Sequence, residues 1–288
     1  MELEYNLKEN NMKQVFLIII LFFSTIVYIS AQENLVYNGS FEEHWYCSPF
    51  LSQDSTPCKG WYSPNFGTPD YLHMCIKDSS IFFFNDSITN FCTPHTGRAQ
   101  VGLCLISIET AGMEHIQSQL KEPLKAGQKY KVSFWVRLDY QYSDYTAYNI
   151  GVYFSKNKKI FGDYLLSKHN YIEGMTPELQ AQVSNEKGKF ITDTTWTEIS
   201  GIYTAQGGEK YITIGMFWDD NPKVVKAWQR AKENQSWGNT RRFGKTVKKY
   251  LLKKNKYMEK KYEKSPSKIG QHFPYYLIDD VSVVELNE

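Results

Sequence analysis

The sequence predicts an all-β protein folded as a sandwich of two sheets. Short segments in which apolar and polar residues alternate recur along the chain, separated by clusters of Gly, Pro, Asn and Asp. No regular series of helices lies between them, which favours a sandwich over a parallel α/β sheet. Aromatic residues make up 16% of the chain, and flat rings suit the pleated faces of strands.

The clearest predicted strand spans residues 130–138. Its alternation places five apolar side chains on one face, namely Tyr130, Val132, Phe134, Val136 and Leu138. The opposite face carries Lys131, Ser133, Trp135 and Arg137. Residues 150–154 and 212–216 alternate in the same way, and the closing run 275–286 has apolar anchors at Tyr276, Ile278, Val281 and Val283. We expect each of these segments to turn one face toward a shared core.

Two stretches lack this regularity and are expected to be long connections. Residues 44–100 are rich in Cys, Pro, Trp, Tyr and Asn, and we expect a looped region with one short strand. Residues 156–190 form the second connection. In it, Thr176-Pro177 has the residue types of a helix N-cap and first helical position.

A strongly basic insertion interrupts the strand pattern at about residues 222–270. Residues 223–268 hold 16 basic and 3 acidic residues, a net charge of +13, whereas the whole chain carries +2 and its remainder −11. Apolar residues at 224–228 and 247–252 have helical spacing among the lysines. We expect a helical or partly disordered excursion that attracts an anionic polymer.

The N-terminus has the pattern of a secretory signal peptide. Met12-Lys13 precedes an apolar run over residues 15–29, and Ser30-Ala31-Gln32 offers a small-residue cleavage site. We therefore expect a leader and signal peptide over 1–31 and the sandwich domain over 32–288; an uncleaved anchor is the alternative. No later run is long enough to span a membrane. The expected location is the periplasm, the outer surface or the extracellular space.

Five cysteines lie in the first half of the exported chain: Cys47, Cys58, Cys75, Cys92 and Cys104. In an oxidising compartment they predict one or two disulfides. Because five is odd, at least one thiol remains unpaired within the chain. We expect it to be Cys104, which lies in the strand-like run 101–105, and the pairing of the others stays open.

The two ends of the exported chain carry related motifs. Residues 34–43 read Asn-Leu-Val-Tyr-Asn-Gly-Ser-Phe-Glu-Glu, and residues 275–283 read Tyr-Tyr-Leu-Ile-Asp-Asp-Val-Ser-Val. Further pieces lie between them: Gly60-Trp61, 67–71, Cys75, Trp196, 200–203 and 211–215. In this order they resemble the carbohydrate-binding-module superfamily with a galactose-binding-like jelly roll, in particular domains of exported Bacteroidetes proteins. The resemblance covers about 34–221 and 272–285, and the basic insertion has no counterpart.

The resemblance implies that the first and last strands of a jelly roll lie side by side, with a structural Ca²⁺ between them. Glu42 and Asp279 are the expected side-chain ligands, and Glu43 and Asp280 are second choices. Carboxylates suit this hard cation, which takes six to eight oxygen ligands. The alternative is that these acids cap turns or stay solvated.

A sugar-binding face requires flat aromatic rings beside planar polar groups. Trp135, Arg137 and Tyr153 are predicted to share the outward face of neighbouring strands, and Tyr140 follows in an aromatic loop. We expect these four residues to contact ligand. The alternative is that Trp135 lies under the insertion or a loop in a second small core.

The expected function is a non-catalytic, exported glycan-binding or adhesion-type module of the cell envelope, with a polysaccharide or cell-surface glycan as partner. The alternatives are a structural envelope protein and an exported hydrolase with an unrecognised site. No Gly-x-Ser-x-Gly or His-Glu-x-x-His motif occurs. Residues 238–246 imitate a phosphate-binding loop but have five residues between the glycines instead of four. Export argues against a nucleic-acid partner.

Overall fold

This computed structural model describes residues 14, 32–48, 51, 56–65, 67–75, 93–107, 113–139, 143, 145–159, 179–217, 220–234, 237–254 and 273–287. The chain divides into two units, Met1–Glu33 and Asn34–Glu288, and every element below belongs to the second. The predicted signal peptide, the helix start at Thr176, Cys92 and Tyr140 lie outside the described residues.

Twelve strands and two helices occur in the described part of unit Asn34–Glu288. The strands are β1 (Trp61–Tyr62), β2 (Asp70–His73), β3 (Ala99–Cys104), β4 (His115–Gln119), β5 (Lys129–Leu138), β6 (Tyr145–Ala147), β7 (Ile150–Ser155), β8 (Val183–Ser184), β9 (Thr197–Thr204), β10 (Tyr211–Met216), β11 (Leu252–Lys254) and β12 (Tyr275–Glu285). The helices are α1 (Pro222–Glu233) and α2 (Trp237–Leu251).

Ten of these strands form two five-stranded antiparallel sheets. Sheet A has the order β1-β4-β10-β7-β8, and sheet B has the order β2-β3-β12-β5-β9. From β3 onward the chain crosses repeatedly between the sheets, with β3, β5, β9 and β12 in sheet B and β4, β7, β8 and β10 in sheet A. This confirms the predicted two-sheet jelly-roll sandwich.

The predicted alternation agrees with the observed burial. In β5 the five apolar residues from Tyr130 to Leu138 are at most 2% exposed, and they belong to the single large core. Ile150, Val152 and Phe154 of β7 face the same core, as do the anchors of β12. Core packing of this kind provides most of the folding free energy, because burial of apolar area drives folding.

The opening and closing segments of the unit are neighbours, as the resemblance implied. The Leu35 amide donates to the Val283 carbonyl at 2.8 Å, and the Val281 amide donates to the Gly39 carbonyl at 2.8 Å. The Asn34 side chain donates to Val281 O and accepts from Val283 N, both at 2.9 Å. Gly39 is required here, because an added Cβ would lie 2.1 Å from Val281 O. The opening segment is rich in turns and is not a regular strand.

The cysteine prediction is confirmed for the described residues. Cys47 and Cys75 form a disulfide, and Cys104 is a free thiol. Burial raises the pKa of Cys104 well above its ordinary value, so the thiol stays protonated. Cys58 is a second free thiol; it is buried, whereas Cys104 is partly exposed.

The basic insertion is helical over Pro222–Glu233 and Trp237–Leu251, as predicted. Asn221 caps α1 by accepting a hydrogen bond from the Lys223 amide at 3.0 Å, and Pro222 begins the helix. Six apolar side chains of the helices are buried in the main core: Val224, Trp228, Ala231, Phe243, Val247 and Leu251. Strand β11 follows α2 and pairs with β6 in an antiparallel two-stranded sheet. Neither described helix is long and apolar enough to cross a membrane.

Candidate functional site on the outer face of sheet B

The structure separates the predicted ligand residues. Trp135 and Arg137 point outward from β5 in sheet B, whereas Tyr153 lies on β7 in sheet A. The prediction that their strands are neighbours is wrong. In a jelly roll the chain crosses between layers, so strands adjacent in sequence lie in opposite sheets.

The outer face of sheet B is a grid of side chains that cross its strands in rows. One row contains the pair Leu72 and Gln100 at one side and Asp279, Trp135 and Glu198 at the other. The next row contains Asp70, Gly102, Leu277 and Arg137. These alternate residues point away from the main core. We call this grid the sheet B outer face.

Aromatic rings and a guanidinium group gather on this face. The His95 ring stacks on Trp135 with centroids 3.9 Å apart and an interplanar angle of 16°. Trp196 meets His95 edge-on at 5.8 Å, and the Arg137 guanidinium lies 5.0 Å from the Trp196 ring centroid. Asp280 fixes the histidine through His95 Nδ1 at 2.6 Å. One side of Trp135 is therefore already occupied by His95.

Part of the same face is a second small core. Leu72, Tyr275 and Leu277 are buried together, and Cys104, Trp196 and Phe273 pack against them. A second small core therefore exists on this face, but Trp135 is not one of its members. Trp135 lies at its border and is only partly buried.

Two buried polar groups on the sheet B outer face have no hydrogen-bond partner among the residues that the structure describes. Gln100 is fully buried, and neither its Oε1 nor its Nε2 atom is bonded. The Nε1 of Trp196 is in the same situation. Such groups are rare, since leaving a buried donor or acceptor unpaired costs roughly 1–3 kcal/mol. They indicate a water molecule or a ligand hydroxyl at this place.

Sequence reasoning missed Gln100 and Trp196 as site residues. The sequence around Gln100, Ala-Gln-Val-Gly-Leu-Cys, is that of an ordinary strand with an outward polar residue. Trp196 was noted only as part of the resemblance. The sequence does contain one indication of its position: Gln100 alternates with the apolar residues of the strand that also contains Cys104, so its side chain points away from the main core.

Two partly buried carboxyl groups lie at the β2–β3 side of this face. Burial raises the pKa of Asp70 to about 6, and burial together with the charge of Asp70 raises the pKa of Glu114 to about 8. Asp70 accepts a hydrogen bond from the Tyr275 hydroxyl. Glu114 accepts from the backbone amides of Cys104 at 2.7 Å and Thr68 at 3.2 Å. Both carboxyl groups therefore hold loops and strands in place.

The outer face of sheet A is a polar row whose members bind one another. Tyr62, Gln117, Thr213 and Tyr153 lie side by side across four strands. The Tyr62 hydroxyl donates to Gln117 Oε1 at 2.6 Å, and Gln117 Nε2 donates to Thr213 Oγ1 at 2.7 Å. The ammonium group of Lys158 lies 4.2 Å from the Tyr62 ring centroid. This face holds Tyr153, but its polar groups are satisfied internally.

The predicted calcium ligands lie on either side of one turn, residues 95–99. Glu42 Oε1 accepts from the amides of Arg98 at 2.6 Å and Ala99 at 2.9 Å. Asp279 Oδ2 accepts from the amides of His95 at 2.8 Å and Thr96 at 3.2 Å. The turn passes through Gly97, whose φ of +62° favours glycine.

The charge at this turn would suit a cation, although no three carboxylates of the described residues converge here. Burial and the neighbouring Asp280 carboxylate raise the pKa of Asp279 to about 8. A cation would offset that unfavourable charge. Glu42 Oε2 accepts no hydrogen bond from the described residues, which leaves it available as a ligand. Glu43 is a poorer choice, because it binds Tyr37 at 2.7 Å and Lys59 at 3.5 Å.

Comparison with known proteins identifies neither a family model nor a curated protein that matches the chain. Similar solved structures include the CBM22-1 xylan-binding domain of Xyn10C from Paenibacillus barcinonensis, with 11% identity, TM-score 0.38, and coverage of 89% of this chain and 97% of that chain. A cyclase from Fischerella sp. TAU has 9% identity, TM-score 0.41, and coverage of 87% and 95%. The K1 adhesin domain of Lys-gingipain from Porphyromonas gingivalis W83 has 13% identity, TM-score 0.33, and coverage of 86% and 96%.

The sheet order and the adjacent chain ends are those of a jelly-roll sandwich. At these identities and TM-scores the neighbours say nothing about a ligand of this chain. They also include enzymes, so they do not decide whether it is catalytic.

Proposed function

We propose that the chain is a non-catalytic, exported glycan-binding or adhesion-type module of the cell envelope that contacts sugar on the sheet B outer face. The observation that carries the proposal is the pair of unpartnered buried groups, the Gln100 amide and Trp196 Nε1, beside aromatic rings and Arg137. Export is supported by the signal-peptide pattern and by the Cys47–Cys75 disulfide.

A sugar matches the chemistry of this face. The apolar side of a pyranose packs on aromatic rings, and its hydroxyl groups both donate and accept hydrogen bonds. The Gln100 amide offers one acceptor and two donors, and the guanidinium of Arg137 offers donors in a fixed plane. Because Gln100 is fully buried, only a small group such as one hydroxyl would reach it, while the ring would lie nearer Trp135, Arg137 and Trp196.

The outer face of sheet A is the weaker choice for the same ligand. Its central Gln117 already uses both ends of its amide, so a sugar there would have to break existing hydrogen bonds. Tyr153 is therefore proposed as a structural member of that row. Tyr140 stays a predicted ligand residue.

A structural Ca²⁺ at the 95–99 turn is part of the proposal. Glu42 and Asp279 would supply carboxylate oxygens, with Asp280 close by, and the ion would neutralise buried charge and tie the first segment to the last strand. Chelation with EGTA is expected to lower the midpoint of thermal unfolding, and added Ca²⁺ to restore it. In Asp279→Asn the response to Ca²⁺ should disappear. An unchanged midpoint with and without chelator in the wild type would contradict the calcium proposal.

A glycan array on the full chain, followed by titration of the best glycan, tests the binding proposal. Trp135→Ala should raise the Kd at least tenfold, which corresponds to a loss of about 1.4 kcal/mol in binding free energy. Tyr153→Ala is the matched control, since it removes an outward aromatic ring from the other sheet, and its Kd should stay within about twofold. The opposite pattern would move the site to sheet A. Binding to no glycan would favour the structural envelope protein.

A further inference from the structure

The helical insertion presents a basic surface that the glycan-binding proposal does not use. We call residues 221–254 the basic hairpin. Ten exposed basic side chains are described in it: Lys223, Lys226, Arg230, Arg241, Arg242, Lys245, Lys248, Lys249, Lys253 and Lys254. Glu233 is the one acidic residue of this segment. Charge of one sign is thus concentrated on two short helices.

The basic side chains follow helical periodicity, so they form stripes. On α1 they stand at positions 223, 226 and 230, and on α2 at 241, 242, 245, 248 and 249. Spacings of three and four residues keep side chains on one side of a helix. The α2 stripe is about 12 Å long, at about 1.5 Å per residue.

The two stripes meet at Tyr250. The ammonium groups of Lys223 and Lys249 lie 5.2 Å and 5.5 Å from the centroid of this ring, so the start of α1 adjoins the end of α2. Hydrogen bonding and charge from Lys223, with a contribution from Lys249, lower the pKa of the Tyr250 hydroxyl. That direction is expected where the local potential is positive.

Within the described part of the chain, the bases on the two helices are not neutralised by acidic side chains. Among the described residues, no ion pair involves the bases of the two helices, and the observed pairs lie on other elements, such as Lys125 with Glu285 and Lys187 with Asp220. Like charges spaced three or four residues apart repel each other and destabilise a helix slightly. An anionic partner would relieve this repulsion.

The burial pattern distinguishes among anionic partners. Six apolar side chains of the two helices lie in the core, and among the side chains that the structure describes no exposed large hydrophobic residue lies on the hairpin. The described part of the hairpin therefore presents no apolar face of the kind that a membrane-surface helix inserts into a lipid bilayer. Attraction at this surface is electrostatic, and fixed rows of cations suit a linear polymer with charges at regular intervals.

We propose that the basic hairpin binds an acidic polysaccharide, one that carries carboxylate or sulfate groups on successive sugars. This surface is separate from the sheet B outer face and does not depend on a sugar bound there. It would hold a polyanionic chain by several charge contacts, each weak on its own, and so the affinity should fall steeply with salt.

The test is binding of the full chain to polygalacturonate at increasing NaCl, measured by calorimetry or affinity electrophoresis. The triple variant Arg241→Gln, Arg242→Gln, Lys245→Gln removes three charges and keeps good helix formers. Its affinity at 50 mM salt should fall about tenfold, which is about twofold for each charge removed. The dependence of affinity on salt should become shallower. Circular dichroism checks that the helices persist.

Matched controls separate this surface from overall charge and from the other site. The variant with Lys131, Lys156 and Lys210 changed to Gln loses the same charge from exposed positions on the sandwich and should bind like the wild type. Trp135→Ala should not change polygalacturonate binding. Fully methyl-esterified polygalacturonate keeps the sugar backbone without charge and should not bind at the hairpin.

Several results would overturn the proposal. If the esterified polymer binds as tightly as polygalacturonate, or if the triple variant binds as tightly as the wild type, the basic hairpin is not the binding surface. Tighter binding to duplex DNA or to anionic lipid vesicles would assign the surface to another class of partner. Self-association at low salt that the triple variant abolishes would make the partner the acidic remainder of a second copy.

Discussion

Replacement of Gln100 by methionine should stabilise the ligand-free protein. The variant keeps the length and flexibility of the side chain but removes the two buried polar atoms that have no partner. An unpaired buried polar group costs roughly 1–3 kcal/mol, and its replacement by an apolar group of similar shape recovers that free energy. For a domain of this size, each kcal/mol shifts the unfolding midpoint by about 2–4 °C.

The assay is urea unfolding at constant pH, with thermal unfolding as a second probe. Gln117→Met is the matched control, because Gln117 is also a fully buried glutamine on an outward face. Its amide bonds Tyr62 and Thr213, so this substitution should lower the free energy of unfolding by about 1–3 kcal/mol. The same substitution should thus raise the free energy of unfolding at position 100 and lower it at position 117.

A loss of stability in Gln100→Met comparable with that in Gln117→Met would refute the reasoning. It would mean that a tightly held water already satisfies the Gln100 amide. Under the proposed function, the stabilised variant should also bind the array glycan more weakly. If Gln100→Met is more stable but binds the glycan as tightly as the wild type, the unpaired amide is confirmed as a cost to stability, and Gln100 is not a ligand residue.

Three further predictions test the fold and its buried charges. Gly39→Ala should lower the free energy of unfolding by about 1–3 kcal/mol, because its Cβ would clash with the Val281 carbonyl; Gly238→Ala, with open space around it, should be neutral or slightly stabilising in the same urea titration. Phe134→Ala should cost about 3–5 kcal/mol in that assay, because the ring is fully buried between the sheets, and a cost under 1 kcal/mol would argue against the core assignment. The pKa of Glu114 is raised from 4.5 to about 8, so the protonated carboxyl group favours the folded state. This contribution to the free energy of unfolding is complete below pH 4.5 and is lost as the pH rises to 8. Stability should therefore fall over this range by up to about 1.4 kcal/mol per pH unit from this group, and Glu114→Gln should make the slope shallower; an unchanged slope would show that Glu114 ionises normally.

Local patterns predicted most of the secondary structure. Alternation in β5 and β12 identified the buried residues, because a period of two fixes which side chains share a face. Asn221-Pro222 and the helical spacing that follows account for the start of α1. The adjacent chain ends followed from a resemblance in two short motifs, and the backbone hydrogen bonds between Leu35 and Val283 confirm it.

The candidate site was predicted only in part, because it depends on contacts between residues far apart in sequence. Alternation shows that Trp135 and Tyr153 face outward, but it does not show in which sheet each strand lies. Gln100 looks like a solvent-exposed strand residue until its neighbours cover it. The hydrogen bond from Tyr275 to Asp70 joins residues 205 positions apart, and no local pattern indicates it.

The most direct test of the proposed site is a crystal structure of the full chain soaked with the best glycan from the array. We predict a sugar ring against Trp135 and Trp196, with one hydroxyl bonded to the Gln100 amide. A sugar on the Tyr62–Tyr153 row of sheet A, or water at Gln100 with the sugar elsewhere, would contradict it.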